Sequence, residues 1–318
     1  MISITDRTLS CLDAFAPCAA PLTRFLELLI EMGADTIEVS EKTYELLRPV
    51  SVGVSLVLRV HSVSDIERHP EIQRFVCRNA PASAGVRTEI VLNDTREAYT
   101  IARYADYASV RIQGLDDVML GDYAAVFKRI RQSFSCDLEL CPTNRLNFAG
   151  GIAAEWAEQY PDAALVTSFG GIGGFAPTEE LAMILRLRRL RKVTKNYEFF
   201  PEMAELFRQL TGRQIRRNKP IIGKRIFCVE SGIHVDGILK QPKCYEPFPP
   251  ETVGQTRRIV LGKQSGAASV RLKLSELGVT CDEALIAPIL ERVKRLSTEK
   301  NALLTNAEFE EIVVAVIA

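Results

Sequence analysis

Histidine is scarce in this chain: 318 residues contain three, His61, His69 and His234, and there is one tryptophan. A centre needing several imidazoles therefore has almost nothing to draw on. Net charge is also missing, because forty basic residues balance forty acidic ones. No global field pulls the chain toward nucleic acid or an anionic membrane, and neither is expected as a partner. No apolar run approaches the roughly 18 residues that span a bilayer. The opening MISITDRTLS lacks a charged-then-apolar leader, so a secreted protein is not expected. Eight cysteines are scattered without a C-x-x-C pair, which fits a reducing cytoplasm better than a disulfide framework.

What is present is alternation. Short β-branched runs at Ile2 to Asp6, Thr36 to Ser40, Val54 to Val60, Arg74 to Arg78, Thr88 to Asn93, Ala108 to Gln113, Asp137 to Cys141 and Ala164 to Phe169 read as strands. Helix-period segments lie between most of them: Leu22 to Met32, Thr95 to Ala105, Tyr123 to Ser133 and Ile152 to Gln159. Eight such units predict an α/β fold, a compact (β/α)8 TIM barrel over residues 1–196. The segments Asp65 to Glu71 and Asn79 to Val86 are too short for full crossovers, so one or two wall helices should be missing. After the eighth strand, SFGGIGGFAPTEE marks a tight loop and a helix start, followed by the basic run Arg186 to Lys192. Glycine there more often permits a turn than holds a phosphate, and such a run is usually a solvated face. The pattern changes near Asn196, and residues 197–318 read as a linker and mainly helical cap with helices at Met203 to Thr211, Ala267 to Leu277 and Cys281 to Ser297, then an apolar end, EFEEIVVAVIA.

Within that second part stand VESGIHVDGILKQPKCYEPF, beginning at Val229, and IVLGKQSG, beginning at Ile259. GIHVDGILK, YEPFPPETVG and LGKQSG, in this order and spacing, resemble the homocitrate synthase and isopropylmalate synthase family, most closely the nitrogenase-associated homocitrate synthases. ITDRTL, GADTIEVS and ALVTSFGGIG resemble the family's first, second and eighth strands. The resemblance implies a pyruvate-carboxyltransferase-like barrel that condenses the acetyl group of acetyl-CoA with a 2-oxo acid, using a divalent metal and a lid from the C-terminal region. It assigns catalytic roles to His234 and Tyr245 of the lid and to Glu38 on the second strand, and substrate binding to Thr167 and Arg59.

The family's metal site does not carry over. Its catalytic Arg falls on Ser10, its metal-binding Asp on Cys11, and its His-x-His pair on Pro142 and Asn144. A hard divalent ion wants carboxylates or imidazoles, so no metal or other cofactor is expected here. Gly114 stands where the family grips the substrate carboxylate with Thr, and the loop after the eighth strand is shorter and lacks Glu-Arg-Ala-Gly-Asn. Beside these readings stand plainer ones: Glu38 pairing with Arg7 or Arg59, and Cys11 and Cys141 as buried small hydrophobes. The expectation is a subunit whose own barrel is inactive and whose His234 and Tyr245 complete the site of a partner synthase in a homo- or hetero-oligomer. The alternatives are a regulatory pseudoenzyme that binds acetyl-CoA or a 2-oxo acid, and metal-free chemistry at Cys11 or Cys141.

Overall fold

A computed structural model describes residues 1–48, 53–193 and 195–317. The chain divides into two units, Met1–Lys195 with Glu202–Ile215, and Asn196–Pro201 with Arg216–Ala318. A single cut after residue 196 does not describe this division, because the segment Glu202–Ile215 counts with the first unit.

In the first unit β1 (Ser3–Asp6), β2 (Thr36–Ser40), β3 (Ser55–Val60), β4 (Phe75–Arg78), β5 (Val86–Leu92), β6 (Ser109–Gly114), β7 (Asp137–Pro142) and β8 (Ala164–Thr167) form a closed parallel barrel, β8 pairing with β1. These strands coincide with the expected ones to within a few residues. The barrel wall carries α1 (Ala19–Met32), α2 (Glu41–Leu47), α3 (Tyr123–Ser133), α4 (Ala149–Gln159) and α5 (Thr178–Leu187), and α6 (Phe200–Thr211) follows. α1 buries Leu22, Phe25, Leu26 and Leu29 at helical spacing and ends at Gly33, whose φ of 103° places it in the left-handed region.

Among the described residues, the crossovers after β3, β4 and β5 contain no α-helix. After β3 there is a 3-10 stretch, Val63–Arg68. The helix expected over Thr95 to Ala105 is instead two 3-10 stretches, Thr95–Tyr99 and Ile101–Tyr104. Its β-branched and aromatic residues are weak helix formers, and at Thr100 both the N–H and the hydroxyl donate to the Glu97 carbonyl, closing a three-residue turn. The helix expected to carry Arg186 to Lys192 also stops short. α5 ends at Leu187, and Arg189 has a φ of 58°.

Outward strand residues are apolar: Ile4, Ile112, Leu140 and Leu165 pack with Phe127, Trp156 and Leu181 of the wall helices. Inward positions are mostly polar, with Val57, Val76 and Val166 as apolar exceptions. Register aligns Glu89 of β5 with Arg111 of β6 and Glu139 of β7, and the same side of the wall carries Glu38 and Arg59. The usual barrel interior is layered with branched apolar side chains, so this one is inverted.

The second unit has a two-stranded parallel sheet, β9 (Cys228–Val229) with β10 (Arg258–Ile259), and helices α7 (Gly232–Lys240), α8 (Ala267–Glu276), α9 (Ile286–Lys300) and α10 (Asn306–Ile317). Leu261, Val270, Leu274, Ile289, Val293 and Phe309 form its core. α10 takes in most of the apolar end of the chain, whose last residue, Ala318, lies outside the described residues. No described helix is long and apolar enough to cross a membrane.

Candidate functional site

The strand period that sends apolar residues outward sends Glu38, Arg59, Glu89, Arg111 and Glu139 inward, where they meet Arg7 at the end of β1. Glu38 is fully buried. Its Oε1 accepts from Arg59 Nε at 2.7 Å and from the Ser10 hydroxyl at 2.7 Å, Arg7 Nε lies 3.6 Å away, and its Oε2 pairs with Arg111. Arg59 also grips Glu89 through both terminal nitrogens, at 3.1 and 2.6 Å. Arg111 donates from Nε to Glu139 Oε2 at 2.8 Å, and Glu139 further accepts from Thr5 at 2.7 Å and pairs with Arg87. The interior is thus a chain of guanidinium–carboxylate contacts in which every glutamate touches more than one arginine.

Burial pushes the Glu38 carboxyl up, but Arg111, Arg7 and Arg59 outweigh it and hold the group well below the usual carboxylate range. Glu89 and Glu139 are lowered by the same contest. All three are ionised at neutral pH and fully engaged.

Above this layer Arg7 donates to Gln113 Oε1 at 3.1 Å and to Cys141 Sγ at 3.3 Å, and its guanidinium lies 3.8 Å from the centre of the Phe175 ring. Phe175 packs with Cys141, Val166 and Cys11. Thr143 and Phe175 form an antiparallel bridge that joins the loops after β7 and β8. Burial raises the Cys11 thiol to about 11 and raises the Cys141 thiol too, so neither is a thiolate at neutral pH.

The other residues singled out in the sequence are occupied elsewhere. Ser10 donates to the Arg7 carbonyl as well as to Glu38. Pro142 ends β7 and offers only its carbonyl, which accepts from Ala176 N–H. The Asn144 amide oxygen accepts from the N–H of Ala149, the first residue of α4. Thr167 is buried, and its hydroxyl accepts from Thr178, which also donates to Asp6 at 2.5 Å. Asp6 follows Thr5 and precedes Arg7, both of which reach into the interior, so Thr167, its register neighbour, faces away from that interior. Burial lifts Asp6 to about 6 against its bonds to Thr178 and Thr8.

Gly114 has a φ of 121°, and a Cβ there would lie 1.9 Å from the Leu92 carbonyl oxygen. The backbone at the end of β6 therefore excludes the Thr that the resemblance places there. In the Gly170 to Gly174 loop the Gly170 N–H donates to the Glu179 carboxylate at 2.9 Å, so a protein carboxylate already takes that donor. Arg191 pairs with Asp35 at 2.8 Å and Arg188 with Glu155 at 3.6 Å, so two members of the basic run are taken up in ion pairs. His69 is used by Glu41, at 3.3 Å, and by the edge of Tyr44. Among the described residues no group of three or more His, Cys, Asp or Glu side chains is arranged to hold a metal ion.

The second unit explains its own motifs. A Cβ on Gly232 would lie 2.6 Å from Gly266 Cα, so the two Ser-Gly pairs bring the starts of α7 and α8 into backbone contact. Glu230 Oε1 accepts from Gln264 N–H at 2.7 Å, and Glu246 takes both nitrogens of Arg257, at 2.7 and 2.6 Å. Val235 and Ile238 anchor α7. On its other side His234 is exposed, with its ring centroid 5.7 Å from that of Tyr245. Tyr245 lies against Gly237, where a Cβ would fall 2.2 Å from its hydroxyl oxygen. Ile233 is 79% exposed, Leu239 58% and Tyr245 45%. This helix presents a pre-positioned His–Tyr pair amid uncovered apolar side chains.

His234, Tyr245, Glu38 and Arg59 stand out in the amino-acid sequence alone. Glu89, Arg111, Arg87 and Glu139 do not. The signal that could have found them is alternation of charged or polar residues, Arg87 and Glu89 in β5, Ser109, Arg111 and Gln113 in β6, and Asp137 and Glu139 in β7: in a closed barrel whose outer face is apolar, such residues must point inward.

Residues 221–301 match the family model described as the homocitrate synthase post-HMGL domain-like family. The chain is similar to the homocitrate synthase omega subunit of Clostridium pasteurianum, 26% identical over 309 residues, covering 90% of this chain and 87% of that one. It is similar to homocitrate synthase AksA of Methanocaldococcus jannaschii, 38% identical over 157 residues, which take in 48% of this chain and 38% of AksA. Hydroxymethylglutaryl-CoA lyase from Pseudomonas aeruginosa has a similar fold, with a TM-score of 0.55 at 12% identity over 70% of this chain and 96% of that one.

Proposed function

We propose that this chain is of the homocitrate and isopropylmalate synthase family and that within it the chain is a subunit without chemistry in its own barrel. It gives His234 and Tyr245 to the barrel of a partner synthase that condenses acetyl-CoA with a 2-oxo acid. The observation that carries this reading is the contrast in engagement. Glu38, the one family carboxylate retained in the barrel, is buried and held by three arginines, whereas His234 and Tyr245 stand side by side and exposed.

The divalent metal that the family implies does not fit this barrel. Around the corresponding positions lie two protonated thiols, a proline and an amide turned to α4, and the guanidinium of Arg7 already supplies a positive charge beside Cys141. No step of the reaction is therefore assigned to this chain's own barrel. A cation there would have to displace an arginine from a dry site, at a cost of several kcal/mol.

Support for a partner comes from the likeness to a protein named as an omega subunit, which extends over most of both chains, and from the apolar exposure of Ile233 and Leu239 around the pair. Co-expression with a metal-binding synthase subunit, joint purification and an acetyl-CoA condensation assay test the proposal. The complex should be active and the isolated chain inactive. His234→Ala should lower the activity of the complex about a hundredfold, as loss of a proton-transfer group does, while leaving the complex assembled. Full activity of the His234→Ala complex would sink the proposal.

A further inference from the structure

The second unit contains a cavity of about 400 Å³ that the proposed function does not use. Its walls are β10, α8 and the start of α10, and it shares Leu261 and Phe309 with the unit's core. Its lining is mixed: Ile259, Leu261, Leu304 and Phe309 are apolar, and polar groups including Arg258, Lys273, Glu276 and Asn306 contribute a comparable share. Leu304 is fixed there by the hydrogen bond from its N–H to the Leu261 carbonyl, at 2.9 Å.

Lys273 is the informative residue. Its side chain is only 12% exposed, so its ammonium is largely withdrawn from water. Its partners are the half-open carboxylate of Glu276, at 2.9 Å, and the Ile259 carbonyl, at 3.4 Å. An ammonium has three donors, and a longer bond to a carbonyl and an exposed i,i+3 pair satisfy it weakly. Arg258 lines the same cavity and is exposed. A cavity of this size, where an apolar cluster stands beside two cationic side chains, has the character of a site for a small anion with a hydrocarbon portion.

We propose that this cavity binds a small carboxylate with a short aliphatic portion, its carboxylate on Lys273 and Arg258 and its hydrocarbon on Leu261, Leu304 and Phe309. The carboxylate takes the place of Glu276 beside Lys273. Binding is independent of His234 and Tyr245, which lie on the exposed side of α7 and line no part of the cavity.

Calorimetric titration of the full chain with 4-methyl-2-oxopentanoate and with 2-oxoglutarate tests the assignment. The first should bind saturably and more tightly than the second, because its branched hydrocarbon matches Leu261, Leu304 and Phe309, whereas a second carboxylate would lie against those side chains. Lys273→Met keeps the aliphatic stem and should weaken binding about tenfold or more, the loss of one charge-assisted hydrogen bond. Leu304→Trp fills the cavity without changing charge and should abolish binding, with circular dichroism confirming that each variant is folded. His234→Ala should bind as the parent chain does. Absence of saturable binding by both acids, or affinity unchanged in Lys273→Met, would overturn the proposal.

Discussion

The barrel interior and the face of α7 hold polar side chains in opposite ways. Inside the barrel Glu38, Glu89, Glu139, Arg7, Arg59 and Arg111 are shut away from water and each is matched to several opposite charges. His234 on α7 and Tyr245, packed against α7 from the turn that follows, are ordered relative to each other but exposed, with uncovered apolar neighbours. A buried ion network is weak evidence for stability gained, since desolvation offsets attraction, but it is strong evidence that no member can be removed without harm. An exposed pair has the reverse property: it can be removed without harm to the fold and is missed only by whatever it touches. The difference locates structural necessity in one unit and available chemistry in the other.

That difference should be felt most severely at Arg111. Arg111→Met should strip both Glu38 and Glu139 of their main partner and cost roughly 3–5 kcal/mol of the first unit's stability, read from urea denaturation. Retention of parental stability would mean that the network is not continuous.

Asp6 gives the next effect and sets two pH trends against each other. Its folded value of about 6 lies above the usual carboxylate range, so its protonated form favours the fold. That contribution is complete below pH ~4 and is lost as pH rises toward 6, about 3 kcal/mol in all. Glu38, Glu89 and Glu139 are lowered, so their contribution is present at neutral pH and is lost as pH falls below ~4. Asp6→Asn should therefore stabilise the chain at pH 8 and leave it unchanged at pH 4, measured by denaturation at both values.

Asn144→Ala removes the acceptor for Ala149 N–H and should cost about 1 kcal/mol, as losing a helix cap does. A metal-binding role for Asn144 would instead appear as a dependence of stability on added magnesium.

The smallest effect on folding is expected on α7. Tyr245→Phe and His234→Ala should each shift stability by less than about 0.5 kcal/mol. Gly237→Ala sharpens the point, because the nearest atoms its Cβ would meet are the hydroxyl and outer ring carbons of Tyr245. It should turn the ring aside, lowering joint activity while the thermal unfolding of the isolated chain stays unchanged.

Much of the barrel could be read directly because strand period and turn residues are local signals. Thr36 to Ser40 and Tyr123 to Ser133 occur as expected, and the short crossover after β4 followed from chain length alone. Thr95 to Ala105 misled because its apolar spacing suits a helix while Thr100 and its neighbours close tighter turns. The candidate site was half legible. Ser10, Cys11, Pro142 and Asn144 could be read by chemical type as poor ligands for a hard metal, and Glu38 was expected to meet Arg7 or Arg59, as it does. Arg111 could not be assigned its role because its partners lie 73 and 28 residues away, and only barrel closure brings them together.

By itself the sequence determined which donors exist: the balance of charge, the Ser, Cys, Pro and Asn at positions 10, 11, 142 and 144, and the presence of His234 and Tyr245. Residue type fixes what an atom can coordinate or donate, and no fold can change that. The tertiary structure decided which of those groups are available. Closing eight strands turned Glu38, Glu89, Arg111 and Glu139 toward one another out of water, and packing Tyr245 on Gly237 left His234 beside it in the open. Availability depends on distance and solvent, and both arise only when segments far apart in the chain are brought into contact.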